Sequence, residues 1–189
     1  MKVQIILAGL GGQGILFASK LFSELGLKLN LNVMGSETHG MSQRGGSVIA
    51  HLKLGNFESP MIRTGTADFL YSLEKDETYR TLKFLKSGGR CFANLSNPDS
   101  FDKKVMDYLK KQRIIVKTCD ASGIASQIGS IVAANIVLIG YSVGTGLVPF
   151  KYKDLREVLE SVSRKKNCIQ NLRAFDAGMK EGKLVQEAA

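Results

Sequence analysis

The sequence predicts an α/β fold, with a mainly parallel sheet flanked by helices and a helical carboxyl-terminal part. Three observations support this class. The chain opens with an apolar run, a glycine-rich turn and a segment of helical period within residues 3–25. Strand-like runs then alternate with amphipathic segments as far as Asp120, which is typical of a parallel, layered sheet. Beyond Ala121 the apolar residues mostly recur with helical spacing.

The opening segment runs through Gly9-Leu10-Gly11-Gly12-Gln13-Gly14, and strand, glycine turn and helix in this order begin a Rossmann-like sheet. We expect Gly9 to let the strand turn, Gly11 to let a ligand or another backbone approach, and Gly14 to let the helix pack close to the strand. The unpaired N–H groups at such a helix start suit a phosphate, a carboxylate or an acidic side chain of a partner. Three interpretations stay open: a dinucleotide site, an anion or partner site, and a turn needed only for packing.

A bound dinucleotide usually requires an acidic residue at the end of the second strand, about 20 residues after the glycines. Glu37 is the only candidate, and the pattern puts it in a separate polar loop beyond a short strand at residues 29–34. The sequence therefore disfavours NAD as a ligand of this turn.

The polar segment at residues 35–47 contains four glycines together with an acid, an imidazole and a guanidinium. We predict a long loop here, and such loops inside compact domains are usually functional. Residues 48–54 form the next predicted strand, with Val48, Ala50, Leu52 and Leu54 on one face and His51 on the other as an ordinary sheet-surface residue.

The remaining elements follow in order. We predict strands at residues 67–73, 90–94 and 113–117, a helix at 75–87 that stops at Gly88-Gly89, and a helix opened by residues 97–100. The small apolar residues at 128–139 suit close packing in the core or against another subunit. Residues 140–146 are predicted to be loose. A helix at 153–164 begins with a capping-box-like Asp154 and Glu157, and a last helix spans 167–180 before a frayed tail.

Composition limits the function. The chain has 189 residues, 44% of them hydrophobic, which is enough for one packed domain. No apolar stretch is long enough for a membrane span and no signal-peptide pattern is present, so we expect a cytoplasmic protein. The net charge of +9 favours anionic ligands or an acidic partner, but no aromatic interleaving or known motif indicates nucleic acid.

The cysteines Cys91, Cys119 and Cys168 are widely separated, and no Cys-x-x-Cys is present. We therefore expect no iron–sulfur cluster and no structural zinc of the usual spacing on this chain, and we expect buried or half-buried thiols. A hydrolase would need Ser36, Ser42 or Ser47 activated by His39, but the sequence has no Gly-x-Ser-x-Gly elbow. Two histidines without clustered thiols also leave few metal ligands.

The polar loop is better interpreted as a segment that completes a site. Arg44 could clamp a phosphate or carboxylate, while Thr38, Ser42 and Ser47 offer hydroxyl groups. The loop and the glycine turn both follow strands of one sheet, so we expect them to face one crevice at its carboxyl edge. A rigid loop that docks onto a partner is the alternative, and the sequence does not separate the two.

Two motifs carry a resemblance to a known family. The segments Gly9-Leu10-Gly11-Gly12-Gln13-Gly14-Ile15-Leu16 and Glu37-Thr38-His39-Gly40-Met41-Ser42-Gln43-Arg44-Gly45-Gly46-Ser47-Val48 resemble the small, gamma-type subunit of the 2-oxoacid:ferredoxin oxidoreductases. The Glu-Thr-His-Gly-Met form is most similar to the beta subunit of indolepyruvate:ferredoxin oxidoreductase. The likeness continues to Asn171-Leu172-Arg173-Ala174-Phe175, and it implies one gamma-type domain over residues 1–189.

The resemblance implies a subunit of a complex that oxidatively decarboxylates a 2-oxoacid with thiamine diphosphate and CoA and passes electrons to ferredoxin. Thiamine diphosphate, Mg and the iron–sulfur clusters are expected in partner subunits, and ferredoxin is an indirect partner. This chain is expected to hold no cofactor alone, to contact CoA and to have no nucleic-acid or membrane partner. In isolation it is expected to be inactive and to form a homodimer. A stand-alone Rossmann-type nucleotide-binding oxidoreductase is the alternative.

The resemblance and the two loops together give the predicted site, to which we assign no catalytic and no metal-ligating residue. The predicted cofactor-binding residues are Gly9, Gly11, Gly12, Gln13, Gly14, Glu37, Thr38, His39, Gly40, Met41, Ser42, Gln43, Arg44, Gly45, Gly46 and Ser47.

Overall fold

The computed structural model describes residues 1–39, 45–96 and 101–187. Within them, six strands form one sheet in the order β2-β3-β1-β4-β5-β6. The pairs β1–β4, β4–β5 and β5–β6 are parallel, whereas β3 runs antiparallel to both β1 and β2. The predicted α/β class with a mostly parallel sheet is confirmed. The strands are β1 Val3–Leu10, β2 Val33–His39, β3 Ser47–Leu54, β4 Ala67–Ser72, β5 Leu85–Asn94 and β6 Ile115–Cys119.

Helices cover both faces of the sheet and make up the carboxyl-terminal part. They are α1 Ile15–Lys28, α2 Lys75–Thr81, α3 Lys103–Lys111, α4 Ala121–Gln127, α5 Ala134–Gly144, α6 Tyr152–Val162 and α7 Lys165–Glu187. Short 3₁₀ helices at Leu82–Phe84 and Ile131–Ala133 precede β5 and α5. Among the described residues, none of these helices combines the length and apolar character that crossing a membrane requires.

The alternation of side chains along β1 divides the core into two layers. Ile5 and Leu7 point into the larger layer, which α1, α5, α6 and α7 cover. Ile6 and Ala8 point into the smaller layer, which contains Leu82 and, from α3, Leu109. Because β1 is buried on both faces, it reads in the sequence as a continuous apolar run.

Several predicted boundaries are wrong. The second strand begins at Val33 and continues to His39, so the first residues of the polar segment pair with β3 as an antiparallel ladder. The predicted helix at 75–87 ends at Thr81, and β5 already includes residues 85–89. Gly88-Gly89 therefore lies inside a strand and does not stop a helix. The predicted helix opening at residues 97–100 lies outside the described residues.

His51 is not a sheet-surface residue. Its side chain is 2% exposed, its Nδ1 accepts a hydrogen bond from the Ile62 N–H at 3.2 Å, and its ring meets Phe84 edge-on. Burial, followed by the neighbouring Lys53 ammonium, lowers the pKa of His51 below its ordinary value. The segment between β3 and β4 thus covers a histidine that strand alternation alone places on the surface.

The α5–α7 pair contradicts two further predictions. Gly140 and Gly144 lie within α5, so residues 140–144 are helical and not loose. The tail beyond Glu181 is not frayed, because α7 continues to Glu187 and Gly182 is buried against α5. The prediction of close packing at residues 128–139 is confirmed from α5 onward, where Val137, Leu138 and Ile139 are buried.

The start of α6 also differs from its predicted capping box. Lys151 is the N-cap and makes no side-chain cap hydrogen bond. Asp154 and Glu157 instead pair with Lys28 at the end of α1, at 3.1 and 2.5 Å. These hydrogen bonds lower the pKa of Glu157 and raise that of Lys28. The two carboxylates therefore join two helices and leave the helix start uncapped.

Candidate functional site

The glycine turn and the end of the polar segment lie beside each other at one edge of the sheet. Leu10 at the end of β1 is opposite Ser47 at the start of β3. The Gly11 N–H donates to the Gly46 carbonyl oxygen at 2.9 Å. Because β2 runs in the same direction as β1, the carboxyl ends of β1, β2 and β4 share this edge. The structure therefore brings together the two segments that the sequence singles out.

Gln13 fixes the shape of the turn. Its Oε1 accepts from the Leu10 N–H at 2.8 Å, and its Nε2 donates to Glu74 Oε1 at 2.7 Å. The backbone N–H of Gln13 also donates to the Leu10 carbonyl at 3.1 Å. Glu74 lies two residues after β4, at the N-cap of α2, so one amide side chain connects the loops that follow two neighbouring strands. Both ends of this amide are engaged within the protein, and these hydrogen bonds hold the turn in one conformation.

The glycines have different roles from those predicted, except for Gly11. Gly9 lies inside β1, where a Cβ would stand 2.7 Å from Gln13 Oε1, so it makes room for the amide. Gly14 is the N-cap of α1 with φ of 76°, and a Cβ there would lie 2.5 Å from Asn135 Nδ2. It admits a left-handed turn and the side chain of α5, whereas we expected contact with the strand. Gly11 is approached by another backbone, as predicted.

Asn135 anchors the start of α1 from the far side of the turn. Its Nδ2 donates to the Gly14 carbonyl at 2.8 Å, and its Oδ1 accepts from the Ile136 N–H at 2.8 Å. The side chain is 4% exposed. The asparagine that interrupts the apolar run of α5 is therefore a structural support for the glycine turn.

A buried acid supports the other side of the site. Glu77, with a side chain 2% exposed, accepts from the Ser47 hydroxyl at 2.6 Å and from the Arg80 guanidinium at 2.8 Å. Ser47 is thus a positioned residue at the start of β3, and its hydroxyl group is engaged by a carboxylate. Among the described side chains, the partner of this hydroxyl is a carboxylate and not the histidine base of a serine nucleophile.

The other predicted site residues divide into three groups. Glu37, Thr38 and His39 are the last three residues of β2, with Glu37 and Thr38 exposed. Gly45 and Gly46 precede β3 beside Gly11. Gly40, Met41, Ser42, Gln43 and Arg44 lie outside the described residues.

Glu37 lies near the end of a strand, contrary to its predicted place in a loop. However, β3 lies between β2 and β1, so Glu37 is two strand spacings from β1, about 10 Å, and not one. A ribose held at the glycine turn would need an acid on the adjacent strand. The inserted antiparallel strand therefore explains, in structural terms, why the dinucleotide interpretation fits poorly.

Two open grooves flank the exposed start of α1. One, of about 390 Å³, lies between α1 and β2 and is lined in part by Ser19, Lys20, Ser36 and Glu37. The other, of about 500 Å³, lies between α1 and the junction of α6 with α7. Its lining combines apolar and basic or amide groups, namely Leu16, Phe17, Lys20, Ile136, Val162, Arg164, Asn167 and Asn171. Leu16 and Lys20 line both grooves.

Four large apolar side chains are exposed on elements that line the second groove or directly precede one that does. Leu16 is 48% exposed, Ile131 70%, Val132 73% and Ile169 68%. Ile131 and Val132 precede α5, which contributes Ile136 to the groove, and Ile169 lies on α7 between Asn167 and Asn171. We name these four residues the Leu16 surface. Several exposed apolar groups in one area are typical of a site of protein interaction.

The cysteines are buried or half-buried, as predicted. Cys91 and Cys119 are buried and Cys168 is half-buried. Burial raises the pKa of both the Cys91 and the Cys119 thiol to about 12, so neither is a thiolate near neutral pH. Across residues 1–39, 45–96 and 101–187, no three His, Cys, Asp or Glu side chains are grouped to hold a metal ion.

Glu74, Glu77 and Asn135 support the candidate site, and the sequence analysis did not assign them to it. A polar residue shortly after a buried strand was a usable signal for Glu74, and a lone amide within an apolar helix was one for Asn135. Glu77 carried no signal, because it looks like any acid in the first turn of a helix.

This chain belongs to the pyruvate ferredoxin/flavodoxin oxidoreductase family, whose model matches residues 4–181. A curated relative, indolepyruvate oxidoreductase subunit IorB of Archaeoglobus fulgidus, is 33% identical over 189 residues, covering 94% of each chain. The chain is therefore a subunit of a 2-oxoacid:ferredoxin oxidoreductase complex, as the resemblance implied.

Solved structures share the fold. The gamma subunit of a keto/oxoacid ferredoxin oxidoreductase from Geobacter sulfurreducens matches 96% of this chain and 99% of its own, with a TM-score of 0.75 and 20% identity. A 2-oxoglutarate:ferredoxin oxidoreductase from Magnetococcus marinus, solved with 2-oxoglutarate, coenzyme A and succinyl-CoA bound, gives a TM-score of 0.77 at 18% identity. The match covers 97% of this chain but only 31% of that longer chain.

Proposed function

We propose that this chain is the non-catalytic, gamma-type subunit of a thiamine diphosphate-dependent complex that converts an aromatic 2-oxoacid, CoA and oxidised ferredoxin to acyl-CoA, CO₂ and reduced ferredoxin. The thiamine and the iron–sulfur clusters belong to partner subunits. This chain contributes the surface that faces CoA and binds the partners. The aromatic substrate is inferred from the indolepyruvate subunit that is 33% identical.

One observation carries the proposal: a rigid, exposed turn of backbone lies next to exposed apolar side chains. Gly11 and Gly12 are exposed, yet Gln13, Asn135 and the Gly46 carbonyl hold the turn in place. The Leu16 surface begins two residues after this turn. A preorganised polar edge beside an apolar patch suits a partner chain and a ligand held between two subunits.

The charges of the second groove favour an anionic ligand on the CoA side. Lys20 and Arg164 lie among amides and apolar side chains in a space of about 500 Å³. CoA carries phosphates, which cations bind, and a pantetheine arm, which apolar and amide groups can accompany. Arg44 is proposed to pair with an anion or with a carboxylate of a partner.

Assembly is tested by Val132→Asp in the reconstituted complex. Val132 is 73% exposed, so the change should leave the free energy of unfolding of the isolated chain within about 0.5 kcal/mol. A charge placed in a desolvated interface should weaken association by about 100-fold. Leu184→Asp, at a residue 54% exposed in the last turns of α7, is the matched control. Equal co-purification of both variants with the partners would refute the role of the Leu16 surface.

The CoA assignment is tested by Arg44→Ala, with Lys110→Ala on the exposed face of α3 as the control for loss of one cation. We expect the KM for CoA to rise about tenfold for Arg44→Ala alone, the cost of one charge-assisted contact. An unchanged KM in a fully assembled complex would remove Arg44 from the site.

The stand-alone alternative has its own test. The isolated chain should bind no NADH by fluorescence titration and should reduce no acceptor with it. NADH-dependent reduction by the chain alone would replace the subunit proposal with a nucleotide-binding oxidoreductase.

A further inference from the structure

A separate groove, which is also basic, lies at the opposite edge of the sheet from the glycine turn. It has a volume of about 460 Å³ and is formed where β1 begins, β3 ends and the segment between β3 and β4 folds back. Lys2, Lys53 and Arg63 line it, together with Phe57, and Glu58 is the only acid in the lining. The function proposed above does not involve this groove.

Lys53 is the unusual member of this groove. It lies near the end of β3, paired with Gln4 of β1 and Met34 of β2, and is only 7% exposed. Among the described residues, no carboxylate lies within ion-pair distance of its ammonium group. Its aliphatic stem is buried, while its ammonium group lines the groove and lies over the Phe57 ring. Burial and the nearby Arg63 guanidinium both lower the pKa of Lys53.

Two ammonium groups of the groove lie near the same aromatic ring, that of Phe57. The ammonium of Lys53 lies 5.1 Å and that of Lys2 lies 5.5 Å from the centroid of Phe57. The carboxylate of Asp68, behind Gln4, is engaged elsewhere, because it accepts from the Gln4 N–H at 2.7 Å and pairs with Lys86. Three cations therefore face the groove against the single carboxylate of Glu58, and the local charge is uncompensated.

The segment that carries Phe57 and Arg63 is held in place. The Ile62 N–H donates to buried His51, and the Thr66 hydroxyl donates to the Arg63 carbonyl at 2.8 Å. The Gly65 N–H donates to the Lys83 carbonyl at 2.9 Å. These bonds fix the backbone that carries Phe57 and Arg63 beside Lys53, so the groove keeps its shape without a ligand.

We propose that this groove binds a small dianion with a phosphoryl group, held by Lys53, Arg63 and Lys2. The planar fork of a guanidinium matches two phosphoryl oxygens, and the two ammonium groups are compact charges for the others. Such a ligand would supply the counter-charge that buried Lys53 lacks within the described protein. The chemistry is shared by inorganic phosphate and by phosphomonoesters, and titration distinguishes these two sources.

The test uses the full chain and isothermal titration with sodium phosphate, with glycerol phosphate as a second titrant and sodium chloride of equal ionic strength as the reference. We expect saturable phosphate binding by the wild type and by Lys110→Met, a control that removes an exposed cation from α3. Lys53→Met and Arg63→Gln should each weaken it by about tenfold or more, as expected for loss of one charged hydrogen bond. Equal affinity for both titrants identifies the free ion as sufficient, and tighter binding of glycerol phosphate identifies an ester.

Thermal unfolding without phosphate provides the control for folding. Lys53→Met keeps an apolar stem of similar length and removes an ammonium group that lies near the like charge of Arg63, so it should unfold at a temperature no lower than the wild type. Arg63 is exposed, and Arg63→Gln keeps the proposal testable if Lys53→Met fails to fold. Wild-type affinity in both variants, or the same heat with chloride as with phosphate, would overturn the proposal.

Discussion

Glycines cluster in two regions of this molecule, and the surroundings of the two clusters are opposite. In the turn at Gly11 and Gly12, an added Cβ would meet nothing closer than 3.5 Å. Between α5 and α7, a Cβ at Gly140, Gly144, Gly178 or Gly182 would collide with a backbone carbonyl oxygen of the other helix. The first cluster leaves backbone exposed, whereas the second lets two backbones touch. The same residue type therefore leaves backbone accessible in one region and allows close packing in the other.

Among these glycine substitutions, we expect Gly178→Ala, at the contact between α5 and α7, to lower the free energy of unfolding most. Gly178→Ala places a methyl group against the Val137 carbonyl, so the helices must separate and lose packing along their length. We expect the free energy of unfolding to fall by about 3 kcal/mol. Lys180→Ala, on an exposed position of the same helix, should change it by no more than about 0.5 kcal/mol. Urea denaturation followed by circular dichroism measures both, and equal midpoints would contradict the proposed contact.

Gly14→Ala should have the next largest effect. The residue has φ of 76°, which costs an L-residue about 1–2 kcal/mol. The methyl group would also displace the Asn135 amide that holds the start of α1. We expect a loss of about 2 kcal/mol in unfolding free energy by the same denaturation. A stable Gly14→Ala variant would show that the left-handed N-cap is not required.

Gly12→Ala separates backbone strain from packing. Its φ is 100°, but no atom lies within 4 Å of an added Cβ, so only the strain remains. We expect a loss of about 1 kcal/mol, smaller than for Gly14→Ala. A larger loss than that of Gly14→Ala would reverse the order that the contacts predict.

Sequence patterns predicted the α/β class, the first strand–turn–helix and the shared edge. They did so because β1 is a continuous apolar run and the apolar residues of α1 recur with helical spacing. They failed where tertiary contacts override local signals. Gly140–Gly146 looks loose in isolation, but α7 packs against Gly140 and Gly144 and keeps them helical. His51 alternates toward solvent, but the segment after β3 covers it. Glu77 joins the site only through Ser47, a contact 30 residues away in the chain.

Gly11→Ala separates the proposed role of the exposed turn in the complex from any role of this residue in the stability of the chain. A Cβ there would lie 3.5 Å from the Gly45 nitrogen and 3.8 Å from the Gly46 oxygen, which are ordinary contacts. The free energy of unfolding should stay within about 0.5 kcal/mol of wild type. In the reconstituted complex, CoA-dependent reduction of ferredoxin should nevertheless fall about tenfold, because the methyl group displaces the CoA or the partner chain that is proposed to pack on the turn. Full activity of a normally folded Gly11→Ala complex would contradict the account.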